Sequence, residues 1–194
     1  MIIASIVEGD GEVAALPLLL RRMGQWLTPE NHVEIPKPIR VRRDRFLNKD
    51  EEFRRMVLLA ADKCGINGWL LILLDADDDC PAELGRQIQL RARNIAPDRK
   101  ISVVLANREY EAWFIASAKS LNGQRGFSMT TGDIADAERI RDAKNWLSSR
   151  IRDGKYRETT DQPAFSSLMD MQQAKDNSRS FLKLCMEWQK HIIL

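Results

Sequence analysis

A chain of 194 residues and 22.3 kDa fits one ordinary domain, and 44% apolar with 30% charged residues excludes a disordered polymer. A net charge of +2 excludes an overall polycation or polyanion, so only the local distribution of charge speaks of partners. No window approaches the roughly 18 to 20 apolar residues of a membrane span, and three cysteines without CxxC spacing argue against a disulfide framework or a structural zinc site.

Residues 1–12 begin apolar with no basic lead-in, so no signal peptide is expected and the chain is read as cytoplasmic. Residues 2–7 (IIASIV) are apolar and β-prone, as in a parallel strand covered on both faces. Glu8-Gly9-Asp10-Gly11 is turn chemistry, after which Val13, Leu16, Leu20 and Met23 recur at helical spacing. Pro17 inside that run predicts a late start or a kink. The Pro-broken, Arg-rich text from Asn31 to Phe46 predicts one short strand near 38–43. Asp50 is placed as the cap of a helix over 51–64 that stops at Gly65. Trp69–Leu74 (WLLILL) reads as the central strand, ending abruptly in Asp75-Ala76-Asp77-Asp78-Asp79.

Pro81 opens a helix to about Ile95, Ile101–Leu105 is another buried strand, and Tyr110–Ala118 a short helix. Alternating strands and helices predict an α/β fold: a central, mostly parallel four-stranded sheet flanked by helices. Residues 121–133 read as loop, 134–151 as a helix, and 163–174 and 177–191 as two more. The division expected is an α/β core over 1–120 and a helical C-terminal cap over 121–194, packed as one structural unit.

In open α/β sheets reactive groups collect at the carboxyl ends of strands. Glu8 ends the first strand, with Asp10 and Glu12 close behind, and Asp75 and Asp77 follow the central one. Clustered carboxylates repel unless protonated or neutralised by a cation, and an all-oxygen set without His or Cys favours Mg²⁺ or Mn²⁺. Glu8, Asp75 and Asp77 are therefore the expected metal ligands. Glu12 and Asp79 also fit the plainer role of helix-start acids. Glu111, paired with Glu109 after the strand 101–105, is chosen as a further ligand or water-orienting group; Trp113 and Phe114 beside it read as core.

Gly9-Asp10-Gly11-Glu12-Val13-Ala14 satisfies a dinucleotide-binding pattern, but three carboxylates around a pyrophosphate are electrostatically wrong without a metal. His32 and His191 have no evident nucleophile to serve. Two basic groupings remain. Residues 37–55 hold eight Lys or Arg against four acids, and residues 86–100 hold five against one. A solvated surface explains either alone; beside an acidic metal centre they suit a phosphate backbone, with Arg40, Arg42, Arg43 and Arg45 as the expected nucleic-acid contacts. No aromatic interleaving suggests base stacking.

Glu8-Gly9 at one strand end and Asp75-Ala76-Asp77 at another resemble the Toprim signature of topoisomerases, primases and OLD-family nucleases. Val7-Glu8-Gly9 with Glu12 is most similar to the OLD-type nuclease branch. Arg108-Glu109-Tyr110-Glu111-Ala112-Trp113-Phe114, Tyr156 with Asp161-Gln162-Pro163, and Ser178 to Phe181 resemble small stand-alone Toprim-like proteins, a domain of unknown function for which a role in bacterial anti-phage defence is suspected. The resemblance implies Mg²⁺-dependent chemistry on nucleic acid, with Glu8, Asp75 and Asp77 as ligands and a basic residue assisting, assigned here to Lys155; Glu12 and Glu111 are expected to support a second ion or the attacking water. The catalytic tyrosine domain of topoisomerases, the zinc domain of primases and the ATPase that accompanies OLD-type nucleases have no counterpart in the sequence, so a partner ATPase or other defence protein is a further expectation. The leading expectation is a metal-dependent nuclease. The alternatives are a non-catalytic module that binds nucleic acid or a partner, and a phosphoesterase acting on a small ester.

Overall fold

The computed structural model describes residues 1–130 and 136–192. Its sheet is built from β1 (Ile3–Val7), β2 (Ile39–Arg40), β3 (Trp69–Asp75) and β4 (Lys100–Ala106) in the order β2-β1-β3-β4, every pair parallel. The α/β architecture expected from the strand–helix alternation is therefore present. Alternate strand residues face opposite layers, and both layers are covered. Ile3, Val7, Leu71, Leu73 and Val104 pack on one side; Ala4, Ile6, Leu70, Ile72 and Val103 pack on the other. That is why these strands read as continuous apolar runs.

α1 (Asp10–Leu27) covers the first side and runs without interruption through Pro17. The second side is covered by α2 (Arg43–Asn48), α3 (Asp50–Cys64) and α4 (Pro81–Ile95), through Phe46, Phe53, Val57 and Ile88. α2 was not expected, because its six residues carry one buried anchor, Phe46, and no amphipathic period. Asp50 is the first helical residue of α3 rather than its cap, and its carboxylate pairs with Arg91. The predicted strand at 38–43 is only two residues long, extended by a bond from Val41 N–H to the Val7 carbonyl.

Beyond β4 the chain forms α5 (Ala112–Ala116), α6 (Ala118–Leu121), α7 (Ala143–Ser148), α8 (Glu158–Leu168), α9 (Met171–Asn177) and α10 (Arg179–Ile192). The single helix expected over 134–151 lies partly outside the described residues; within them, 136–142 are turns and only α7 is helical, capped by Asp142. Two expected C-terminal helices are three, with Pro163 inside α8 instead of at a start. Phe165, Phe181, Leu184 and Trp188 join the same apolar cluster as β1, β3 and α1. No described helix is long and apolar enough to cross a membrane.

β1 leads into α1 on one face, while its neighbour β3 leads into α4 on the other. Adjacent strands whose connections leave in opposite directions open a crevice at their carboxyl ends. Glu8 and Asp75 stand at that crevice.

Candidate active site

Three loops build the crevice. Gly9 caps α1 directly after Glu8, and a Cβ there would overlap the Glu12 carboxylate. A Cβ on Gly11 would overlap Gln162 of α8 and come within 3.1 Å of the Glu158 carbonyl. The two glycines thus let Glu12 fold back to the strand end and α8 close against α1, which explains the GxG spacing without a dinucleotide. Beyond β3, Ala76 N–H bonds to the Ala106 carbonyl at 3.0 Å and Asp77 N–H to the Arg108 carbonyl at 2.9 Å. Asp77 takes a left-handed turn with φ 50°, a conformation Asp adopts at modest cost. This zipper carries the β4 loop alongside the β3 loop, and Tyr110 N–H then donates to Asp75 Oδ1 at 2.8 Å.

The result is a set of mutually repelling acids. Glu8 is pushed up to about 6, first by burial and then by the charge of Asp77, with Glu12 adding and Arg43 opposing. Asp75 is held well above the usual carboxylate range by burial, then by Glu111, Glu12 and Glu8. Glu111, 1% exposed at the start of α5, is pushed up to about 7 by burial, with Glu109 and Glu12 adding to it against Lys144. Glu8 therefore feels Asp77 and Glu12, and Asp75 feels Glu111, Glu12 and Glu8, across neighbouring strand ends. Oε2 of Glu8 and both oxygens of Glu111 are buried without a well-formed hydrogen bond, the buried Tyr156 hydroxyl being a donor within the influence of Glu111. Unmatched buried carboxylate oxygens are costly and call for a cation. Among the described residues, however, no three acid, His or Cys side chains are already drawn into a metal cage.

The cations present are protein groups. Lys144 of α7 reaches Glu158 at 2.9 Å and Glu109 at 3.6 Å. Burial works against its charge, but Glu111, Glu158 and Glu109 more than offset that and raise its pKa above the ordinary lysine value. Lys155, the basic residue assigned from sequence, is exposed ahead of α8. Nothing near Lys144 in sequence announces its role, because α7 is brought to the site by Glu109, whose carboxylate accepts from Ala143 N–H at 2.9 Å.

Of the four predicted arginines, two meet the acids. Arg40 pairs with Asp10 at 3.2 Å, and Arg43 with Asp77 at 3.4 Å and Asp79 at 2.6 Å. Arg42 is exposed at the entry to α2, and Arg45 pairs with Glu52 farther along it. The second basic grouping is divided between the α2 end of the molecule and the start of β4. Arg91 stacks on Phe53 and bonds the Leu47 carbonyl, while Arg99 and Lys100 lie where β4 begins, at the opposite edge of the sheet.

The family model of DUF4276, a domain of unknown function, matches residues 7–187. The chain belongs to this family. No curated protein and no solved structure matches it. The match takes in every acid of the crevice, Lys144, and the C-terminal residues that hold the crevice in shape. Asp161 receives Arg125 at 2.9 Å and Arg157 N–H at 2.8 Å. Ser180 Oγ accepts from Trp113 Nε1 at 2.9 Å and from Asn107 N–H at 3.1 Å. Tyr156 is buried, with burial and then Glu111 raising its pKa. Trp113 and Phe114 are fully buried core, as read from sequence. His191 does have a hydroxyl beside it: Ser102 Oγ lies 3.0 Å from its Nε2. Ser102 is fully buried and donates to Glu187 at 2.6 Å, so it is no nucleophile.

Proposed function

We propose that this protein is a Toprim-type, divalent-cation-dependent nuclease, with Glu8, Asp75 and Asp77 as ligands for Mg²⁺ or Mn²⁺. The observation that carries the reading is the convergence of five carboxylates from three strand ends on one crevice, with buried oxygens left unmatched. The donors are all hard oxygens, which fits those cations and not zinc or copper. When bound, such a cation supplies Lewis acidity at a phosphoryl oxygen and lowers the pKa of water. In the chain itself, Glu12 helps orient the attacking water and Glu111, pushed up to about 7, is a competent base to deprotonate it. Lys144 faces the acids with a retained positive charge and stabilises charge that develops on the phosphate. Arg40, Arg42 and Arg43 lie at the same strand ends and hold the backbone of a nucleic acid. A role in anti-phage defence, with a partner ATPase, follows from the resemblance alone.

A second reading, a binding module without catalysis, draws on Arg43. Its guanidinium sits on Asp77 and Asp79 and answers part of the charge a cation would otherwise answer. Calorimetric titration of Mg²⁺ and Mn²⁺ into wild type and Asp75→Asn/Asp77→Asn separates the two. Binding lost in the double variant supports the metal centre; no binding to wild type puts the module first. A small-ester phosphoesterase is tested by turnover of an aryl phosphate with DNA and RNA left intact.

A further inference from the structure

A cleft of about 590 Å³ opens beside β4, on the side of the Asp75–Asp79 loop away from β1. One wall is apolar, made by Pro81, Ala82 and Leu105. The rim carries three cationic side chains, Arg139, Arg179 and Lys183, of which Lys183 is paired with Glu187 at 3.1 Å. Two acids also line it, and both are bonded to groups of the cleft itself. Asp136 pairs with Arg139 at 3.2 Å, and Glu138 accepts from Asn107 Nδ2 and from Arg179 N–H, each at 3.0 Å. The Arg179 guanidinium, by contrast, is exposed and makes no ion pair or hydrogen bond among the described residues. Facing the same space, the 15-residue α4 begins at Pro81 with no side chain capping its first turn. Its first amides and its dipole add to the attraction for an anion.

An apolar wall facing a cationic rim, in a space of this size, suits a ligand with a flat apolar part and a phosphate. We propose that the cleft binds a nucleoside monophosphate unit, the nucleotide that neighbours the scissile phosphate in a strand crossing the acidic crevice. The base lies on Pro81, Ala82 and Leu105, and the phosphate is held by Arg179 at the mouth of α4. The strand context rests on the nuclease reading; the recognition of the nucleotide does not.

Cys80 lines this cleft and is exposed, whereas Cys64 and Cys185 are buried, so alkylation of Cys80 reports occupancy. The experiment measures protection of Cys80 from iodoacetamide in EDTA. The probes are a nucleoside 5′-monophosphate, the same nucleoside without phosphate, and a single-stranded trinucleotide. Protection by the monophosphate, at concentrations about tenfold or more below those the nucleoside needs, supports the site. Protection by the trinucleotide alone supports it as a subsite for a strand and not for free nucleotide. In Arg179→Ala the protecting concentration is expected to rise about tenfold or more, with the thermal melt unchanged. No protection by either phosphate-bearing probe, or equal protection in that variant, overturns the proposal. Asp75→Asn keeps the two readings apart. A wild type that cleaves nothing, or cleavage that survives Asp75→Asn, sinks the reading of the acidic crevice as a nuclease centre while leaving Cys80 protection intact. Cleavage that requires Asp75 in a protein without Cys80 protection sinks the cleft alone.

Discussion

The two edges of the sheet handle buried charge in opposite ways. At the carboxyl edge, Glu8, Asp75 and Glu111 repel one another, and burial raises all three above the ordinary carboxylate range. Toward the other edge, Glu187 of α10 receives Ser102 at 2.6 Å and Lys183 at 3.1 Å, with His191 Nε2 at 3.6 Å. The bond with His191 is the largest influence and, with those from Ser102 and Lys183, holds Glu187 well below its ordinary value despite burial. Matched charge fastens α10 to β4. Unmatched charge stabilises nothing in the bare chain, and its place at the strand ends is what the proposed metal centre would explain.

The sharpest way to break this contrast is to remove the unmatched charge. Asp75→Asn/Asp77→Asn is expected to lower metal-dependent cleavage about a thousandfold or more, since ligand loss removes several kcal/mol of transition-state stabilisation. Circular dichroism and melting of the metal-free variant should show an intact fold. Asn is chosen over Ala at 75 because Tyr110 N–H needs its acceptor. Retained cleavage would remove these residues from the chemistry.

Breaking the matched edge should cost stability instead. Glu187→Ala leaves Ser102 and His191 without their shared partner and is expected to lose about 2 to 3 kcal/mol in urea unfolding, with metal binding unaffected. A loss below about 0.5 kcal/mol would show that the cluster does not hold α10.

The pH response sharpens the comparison further. A carboxyl raised from 4.5 to about 7, as in Glu111, favours the folded state fully below pH 4.5, and that advantage is lost as pH rises through 7. Glu8 acts in the same direction up to about 6. Glu187, being lowered, has its stabilisation in place above pH 4.5 and loses it on acidification. In EDTA the melting temperature should fall between pH 5 and 7.5. Glu111→Gln should flatten that fall, gaining roughly 1 to 3 kcal/mol at pH 8 and little at pH 4. An unchanged pH profile would mean Glu111 ionises freely.

The smallest effect is expected at the exposed arginines. Arg42→Ala and Arg45→Ala should change stability by less than about 0.5 kcal/mol. If Arg42 contacts a phosphate, its loss lowers the salt slope of nucleic-acid binding by about 1. Arg45, already tied to Glu52, should lower it less.

The sequence by itself determined the sheet and the acids at its edge. The near-continuous apolar runs that end before Glu8, before Asp75 and shortly before Glu109 suit strands buried on both faces, as in a parallel sheet, and chain direction then fixes which edge the acids occupy. Composition also marked the Arg-rich stretch ahead of α3. What only the tertiary structure decided is which cation answers which acid. Lys144, and not Lys155, stands among the carboxylates because the Glu109 carboxylate captures the start of α7, a contact 34 residues apart that no local period encodes. Arg43 meets Asp77 while Arg99 lies at the far edge, since like residues in two Arg-rich stretches are separated only by which strand end they follow. Local pattern records burial and direction; pairing between distant side chains exists only once packing has closed the distance.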